Sequence, residues 1–142
     1  MHTFVKFSMI TFISGSILAG VLKIVQIFFH VPSYMLLFNM DYIPLLKQWN
    51  DVTGSGYVFH FLFCFISIVG LFYIAKIFHV ERKPLLYVGV YTIGSGVLYF
   101  LTALTEQPPE ATSFIAWLWW VIAHIIFGIV VGAFIKKWMN KR

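Results

Sequence analysis

The chain carries little charge. Only 11% of its 142 residues are Asp, Glu, Lys or Arg, against about 25% in a soluble globular domain. There is one cysteine, Cys64, so an internal disulfide is excluded and the redox compartment is not readable. A lone cysteine in an apolar helix is a small packing residue. Catalytic signatures are missing too: there is no Gly-rich phosphate loop, nucleophile elbow, HExxH pair or pair of carboxylates within one helix. Internal repeats and low-complexity stretches are also lacking. Together these absences argue against a soluble enzyme and against a protein built on disulfides.

What the chain does have is apolar residues, 61% of the total. They gather in four segments at roughly 8–30, 57–78, 85–105 and 113–135, each about 20 residues or more and long enough to cross a ~30 Å hydrocarbon core as a helix. The first is too long for the ~7–15-residue apolar region of a signal peptide, and no polar mature domain follows it, so it reads as a retained helix. Pro32 ends the first segment, and Gly54-Ser55-Gly56 precedes the second, with Ser55 as N-cap. Pro84 suits the first turn of the third, Pro108-Pro109 stop it, and Thr112 or Ser113 caps the fourth. The short connections at 79–84 and 106–112 make the last three antiparallel neighbours. The expected fold is an all-α integral membrane four-helix bundle, with 1–142 forming a single transmembrane domain.

Basic residues mark the helix ends. With the N terminus inside, Lys6, Lys76, Arg82, Lys83, Lys136, Lys137, Lys141 and Arg142 lie on the inner side, and Lys47 lies outside near the acidic Glu106 and Glu110. This bias predicts an N-in/C-in topology. The formal charge of +5 is thereby a topology signal rather than a nucleic-acid footprint, which would cluster on a water-facing surface. The basic C-terminal tail also suits anionic lipid. Trp49, Tyr57, Trp117, Trp119 and Trp120 fall near the outer interface, as an aromatic belt would place them. Between the first two segments, Phe38, Tyr42, Leu45, Leu46 and Trp49 share one helical face. Residues 34–50 therefore read as an interfacial amphipathic segment bent at Pro44, lying on the outer leaflet or folded over the bundle mouth.

Polar residues inside apolar helices are costly and face the bundle interior, so they are the guide to function. Helical spacing groups Ser16, Ala19, Gly20, Lys23, Gln26 and His30 in the first segment and His60, Cys64 and Ser67 in the second. It groups Ser95, Tyr99, Thr102 and Glu106 in the third, and Trp117, Trp120, His124, Gly128 and Gly132 in the fourth. The candidate ligand or proton pocket is Lys23, Gln26, His60, Tyr99, Thr102, Glu106 and His124. Lys23 snorkels to the outer headgroups, pairs with Glu106 or holds an anionic group. His124, near mid-membrane, bonds a neighbouring helix, relays a proton or ligates a metal. Gly15, Ser16, Ala19, Gly20, Gly128 and Gly132 are candidates for close helix packing. No metal or cofactor is expected. His60 and Cys64 lack further ligands, and a depth offset of roughly two turns between His60 and His124 argues against a haem sandwich.

The segments SGSILAGVLKIVQIFFHVP (14–32), HFLFCFISIVGLFYIAKIF (60–78), LTALTEQPP (101–109) and WLWWVIAHIIFGIV (117–130) resemble the YagU-like family of small bacterial inner-membrane proteins. His60 and His124 match that family's histidines. The chain departs after the first segment, where His30-Val31-Pro32 stands in place of an acidic residue and Pro-Pro-Arg, and its polar loop is shorter and more apolar. The resemblance implies a multi-pass protein of the bacterial plasma membrane and a link to acid-stress survival, with no established transport or catalysis.

Three functions are consistent with these residues. One is a non-enzymatic protein with an outward-facing polar pocket, passing protons or a small solute or responding to pH. Another is a structural or accessory subunit working with a second copy or a membrane partner. The last is a lipid-, quinone- or haem-handling protein.

Overall fold

The computed structural model describes residues 2–139; Lys141 and Arg142 of the expected inner-side cluster lie outside them. The protein is all-helical, with no strand among the described residues. The helices are α1 (Thr3–Phe29), the short α2 (Ser33–Leu36), α3 (Ser55–Ile77), α4 (Pro84–Leu98) and α5 (Phe114–Trp138). A 3₁₀ turn covers Tyr99–Leu104 and extends α4 without a break. Counted with that turn, α4 joins α1, α3 and α5 as one of four helices long and apolar enough to cross a membrane.

The ends have local causes. α1 starts at Thr3, five residues before the expected boundary. It stops where His30 takes a left-handed conformation (φ 56°) and its N–H bonds the Gln26 carbonyl at 3.1 Å. His79 closes α3 in the same way at φ 57°. These are the αL terminations that glycine usually supplies, and histidine is among the side chains that tolerate them. Pro84 opens α4, and Ser113 caps α5 by accepting a bond from the Ala116 N–H at 3.3 Å.

Packing is uneven. α4 lies along α5, α5 along α1, and α1 along α3, whereas α3 and α4 make no close run of contact. Glycine explains the tightest seam. A Cβ on Gly128 would sit 2.8 Å from the Val88 Cα, and one on Gly132 would sit 2.9 Å from the Pro84 Cα. The two backbones therefore touch where only glycine fits. Further along, the Trp117 indole N–H donates to the Gly96 carbonyl at 3.0 Å and that of Trp120 to Ser95 at 3.1 Å. At the opposite end the Lys6 ammonium donates to the Trp138 carbonyl at 2.7 Å, joining the start of α1 to the end of α5.

Four expectations change. α3 and α4 are not the packed neighbours that their short connection predicts, and Gly54 rather than Ser55 stands at the N-cap of α3, where the Ser55 hydroxyl donates to the Trp49 carbonyl instead. α1 buries Phe7, Ile10, Thr11, Ser14, Gly15, Leu18, Leu22 and Val25. Gly15, expected at a close helix contact, is at one, since a Cβ on it would sit 3.0 Å from a Phe61 ring carbon; of the stripe expected inside, Ser16, Gly20, Lys23 and His30 are exposed and Ala19 and Gln26 half-buried. A helix apolar on all sides can turn either face inward, and the one holding Leu18, Leu22 and Val25 buries more apolar surface. Residues 34–50 also form no single amphipathic helix. α2 ends after one turn, turns follow, and a 3₁₀ turn spans Lys47–Trp49. Leu36, Leu37 and Met40 are buried, while Leu45 of the expected face is 83% exposed. The Asn39 side-chain oxygen takes the Asp41 N–H at 2.9 Å, and Pro44 lacks an N–H and disfavours helical geometry at Ile43, so helix propagation fails here.

The glycine seam is testable. G128A overpacks α5 against α4 and should cost about 1–3 kcal/mol. G20A, where a Cβ meets nothing within 4 Å, should be neutral or stabilising by up to ~1 kcal/mol through helix propensity. Reversible unfolding in mixed micelles reads both, and equal effects would refute the backbone contact.

Candidate ligand cavity

Because α3 and α4 do not close on each other, a cavity of about 290 Å³ opens between them. Leu18 of α1 and Trp120, His124 and Phe127 of α5 form its inner wall, and Leu36, Leu37 and Tyr42 cover one end. Phe63, Val90 and Leu98 line it and are also exposed, so its edge reaches the outer surface between α3 and α4. No charged side chain lines it. Burial pushes the Tyr42 hydroxyl up to about 12, so the cover is neutral as well.

Most polar groups at the cavity are already satisfied. The Ser67 hydroxyl donates to the Cys64 carbonyl at 2.9 Å and that of Ser95 to Thr92 at 3.2 Å. His60 Nε2 lies 3.1 Å from the Gly15 carbonyl. A carbonyl only accepts, so Nε2 carries the proton, leaving Nδ1 facing the Cys64 thiol at 3.9 Å. His124 has the opposite tautomer: Nδ1–H donates to the Trp120 carbonyl at 2.8 Å. Its Nε2 is left with a lone pair and no protein partner among the described residues. The Ser67 proton is already used, so the Tyr91 hydroxyl, 3.5 Å from Ser67 Oγ, is the donor of that pair and keeps only acceptor lone pairs for a ligand. The cavity thus offers a ligand two acceptors, His124 Nε2 and the Tyr91 oxygen.

Of the seven expected pocket residues, the fold brings His60 and His124 together here. Lys23 is exposed, with its ammonium 4.8 Å from the Tyr34 ring centroid, a cation–π contact. Glu106 is exposed, and no ion pair joins it to Lys23 among the described residues. Gln26 has a buried Oε1 without a partner among the described residues, and so has Thr102 at Oγ1. Tyr99 is fully buried and its hydroxyl donates to the Glu110 carbonyl at 2.9 Å, so it anchors the loop before α5. Tyr91 escaped the sequence reading, although Tyr87, Tyr91 and Ser95 at i, i+4, i+8 extend the polar stripe of α4 backwards.

A second unanticipated feature is a polar clasp beside the covered end. The Thr105 hydroxyl donates to Asp41 at 3.2 Å while accepting from Asn39 at 2.9 Å and from the Gln107 N–H at 3.1 Å. Asn50 donates to Asn39 and Asp41 and accepts the Met40 N–H at 3.0 Å. It ties residues 39–50 to the turn after α4. No group of three or more His, Cys, Asp or Glu among the described residues is placed to hold a metal ion.

The fold and cavity therefore define an all-helical protein with four helices able to cross a membrane and a neutral, aromatic-walled cavity between two of them. Compared with known proteins, the chain matches no family model, no curated protein and no solved structure.

Thr105 is the hub of the clasp. T105V should leave Asn39 and the Gln107 N–H short of a partner, costing about 1–3 kcal/mol, and should accelerate amide exchange across residues 39–50. Unchanged exchange there would remove the clasp as the element holding the cover down.

Proposed function

We propose that this chain is a multi-pass membrane protein that takes a neutral, largely apolar molecule from the bilayer into the cavity between α3 and α4. The observation that carries the reading is the cavity's composition: aromatic and aliphatic walls, no charge, and two hydrogen-bond acceptors left over. A few convergent polar groups in an apolar pocket are the usual form of a small-molecule site. His124 Nε2 and the Tyr91 oxygen both accept, so they favour a ligand bearing a hydroxyl. An anionic head would find no countercharge and would be expensive to bury.

The bilayer placement has its own support. Phe12, Phe28, Ile66, Ile93 and Val97 point outward and are each more than half exposed, a surface far too apolar for water. Lys6, Lys76, Arg82, Lys83, Lys136 and Lys137 belong to one end and Asp41, Asp51, Glu106 and Glu110 to the other, which favours an N-in/C-in four-helix arrangement. The resemblance to the YagU-like family would make the membrane a bacterial plasma membrane. Passage of protons or small solutes and a part in acid stress have less support, because Lys23 and Glu106 face away from His60 and His124.

Filling the cavity tests the proposal. Gly94 lines it, and a Cβ there meets nothing within 4 Å, so G94L should fold and exclude ligand. Native mass spectrometry of wild-type protein from its own membrane should show a bound mass beyond ordinary lipid that G94L lacks. H124F, losing one net hydrogen bond, should weaken retention by up to roughly tenfold. Wild-type protein that carries only exchangeable lipid, or G94L that retains the same mass, would overturn the reading.

A further inference from the structure

The basic end holds a second concavity. Beside the α4–α5 seam a groove of about 700 Å³ is walled by Leu85 and Val88 on α4 and by Ile129 and Ala133 on α5. Arg82, Lys136 and Lys137 rim it, and it runs on past Lys83 in a shallower hollow. No acidic side chain lines either part; the nearby Glu81 is half-buried, and its carbonyl takes the Tyr87 hydroxyl.

The shape follows from the seam. Gly128 and Gly132 draw α5 onto Val88 and Pro84, so the valley next to the contact is shallow and firm. Ala133 leaves it open, while Leu85, 82% exposed, and Ile129, 52% exposed, form raised apolar walls. Ile129, Ala133 and Lys137 follow one another at i, i+4, i+8 along α5. An apolar trough thus leads directly into a cluster of cations.

We infer that this groove seats an anionic phospholipid, with its phosphate at Lys136 and Lys137 and an acyl chain along Leu85 and Ile129. Charge complementarity selects the occupant. A soluble phosphate would use the cations but leave the walls bare, and a zwitterionic lipid would bring its own cation to the rim. Arg82 is already engaged in an interaction of its own, so the two exposed lysines carry the recognition. The inference rests on the bilayer placement and is independent of the cavity between α3 and α4.

The test is thermal unfolding of the full chain in neutral detergent, titrated with phosphatidylglycerol, phosphatidylcholine or inorganic phosphate. The melting temperature of wild-type protein should rise with phosphatidylglycerol alone. K136Q/K137Q should raise the concentration needed by roughly tenfold or more. K76Q removes an exposed charge on α3 at the same end, away from the groove, and should bind as wild type, as should G94L. Equal stabilisation by phosphatidylcholine or inorganic phosphate would overturn the inference. So would a loss in K76Q as large as in the double variant, which would mean diffuse attraction rather than a seat. A phosphatidylglycerol response in a chain without any cavity-bound mass separates this inference from the proposed function.

Discussion

The backbone of α5 rests directly on that of α4 at Gly128 and Gly132, and the arrangement of the other helices depends on that contact. Side chains hold most helix pairs 8–10 Å apart; here Pro84 and Val88 come within about 3 Å of where a Cβ would stand. On the proposed bilayer placement there is no hydrophobic drive for the helices to associate, so close van der Waals packing and hydrogen bonds supply the adhesion. The indoles of Trp117 and Trp120, donating to backbone carbonyls of α4, add to it.

This geometry leaves α5 as the shared neighbour of α4 and α1. α3 attaches to α1, through Gly15, Phe61 and the His60–Gly15 hydrogen bond. Two helices held from behind by different partners need not meet, and the cavity is the space they leave. Its cover is fastened by a clasp of neutral amides, a threonine and one carboxylate rather than by an ion pair, so the covered end adds little net charge to the cavity mouth.

Five polar side chains inside the apolar helices follow one pattern. Ser14, Ser67, Thr92, Ser95 and His124 each hydrogen-bond a carbonyl three or four residues back on the same helix. That local solution removes the cost of an unsatisfied buried group without requiring a partner helix. A polar stripe in such a sequence is therefore weak proof of a polar channel. What is left over at the cavity after these local bonds, His124 Nε2 and the Tyr91 oxygen, is far more informative than the full set of polar residues.

Long apolar runs, proline and glycine positions and the basic residues at the segment ends are local properties. From them the four helices, the stops at Pro32 and Pro108-Pro109, the Ser113 cap and the packing role of Gly128 and Gly132 were all legible. Two histidines facing a common interior were legible as well, because spacing alone puts His60 with Cys64 and His124 with Trp120. The face of α1, the fate of residues 34–50 and the gap between α3 and α4 were decided only by tertiary structure. In helices apolar on every side, burial gains differ little from face to face, so hydrophobic periodicity loses its power to say which side turns inward. Lys23 and Glu106 read as interior because they interrupt apolar sequence, yet each lies near a helix end where an outward position is open to it. The sequence by itself determined that four apolar helices would form and where each would stop. Which helices touch, and hence where a cavity remains, depended on how side chains from distant segments fit together.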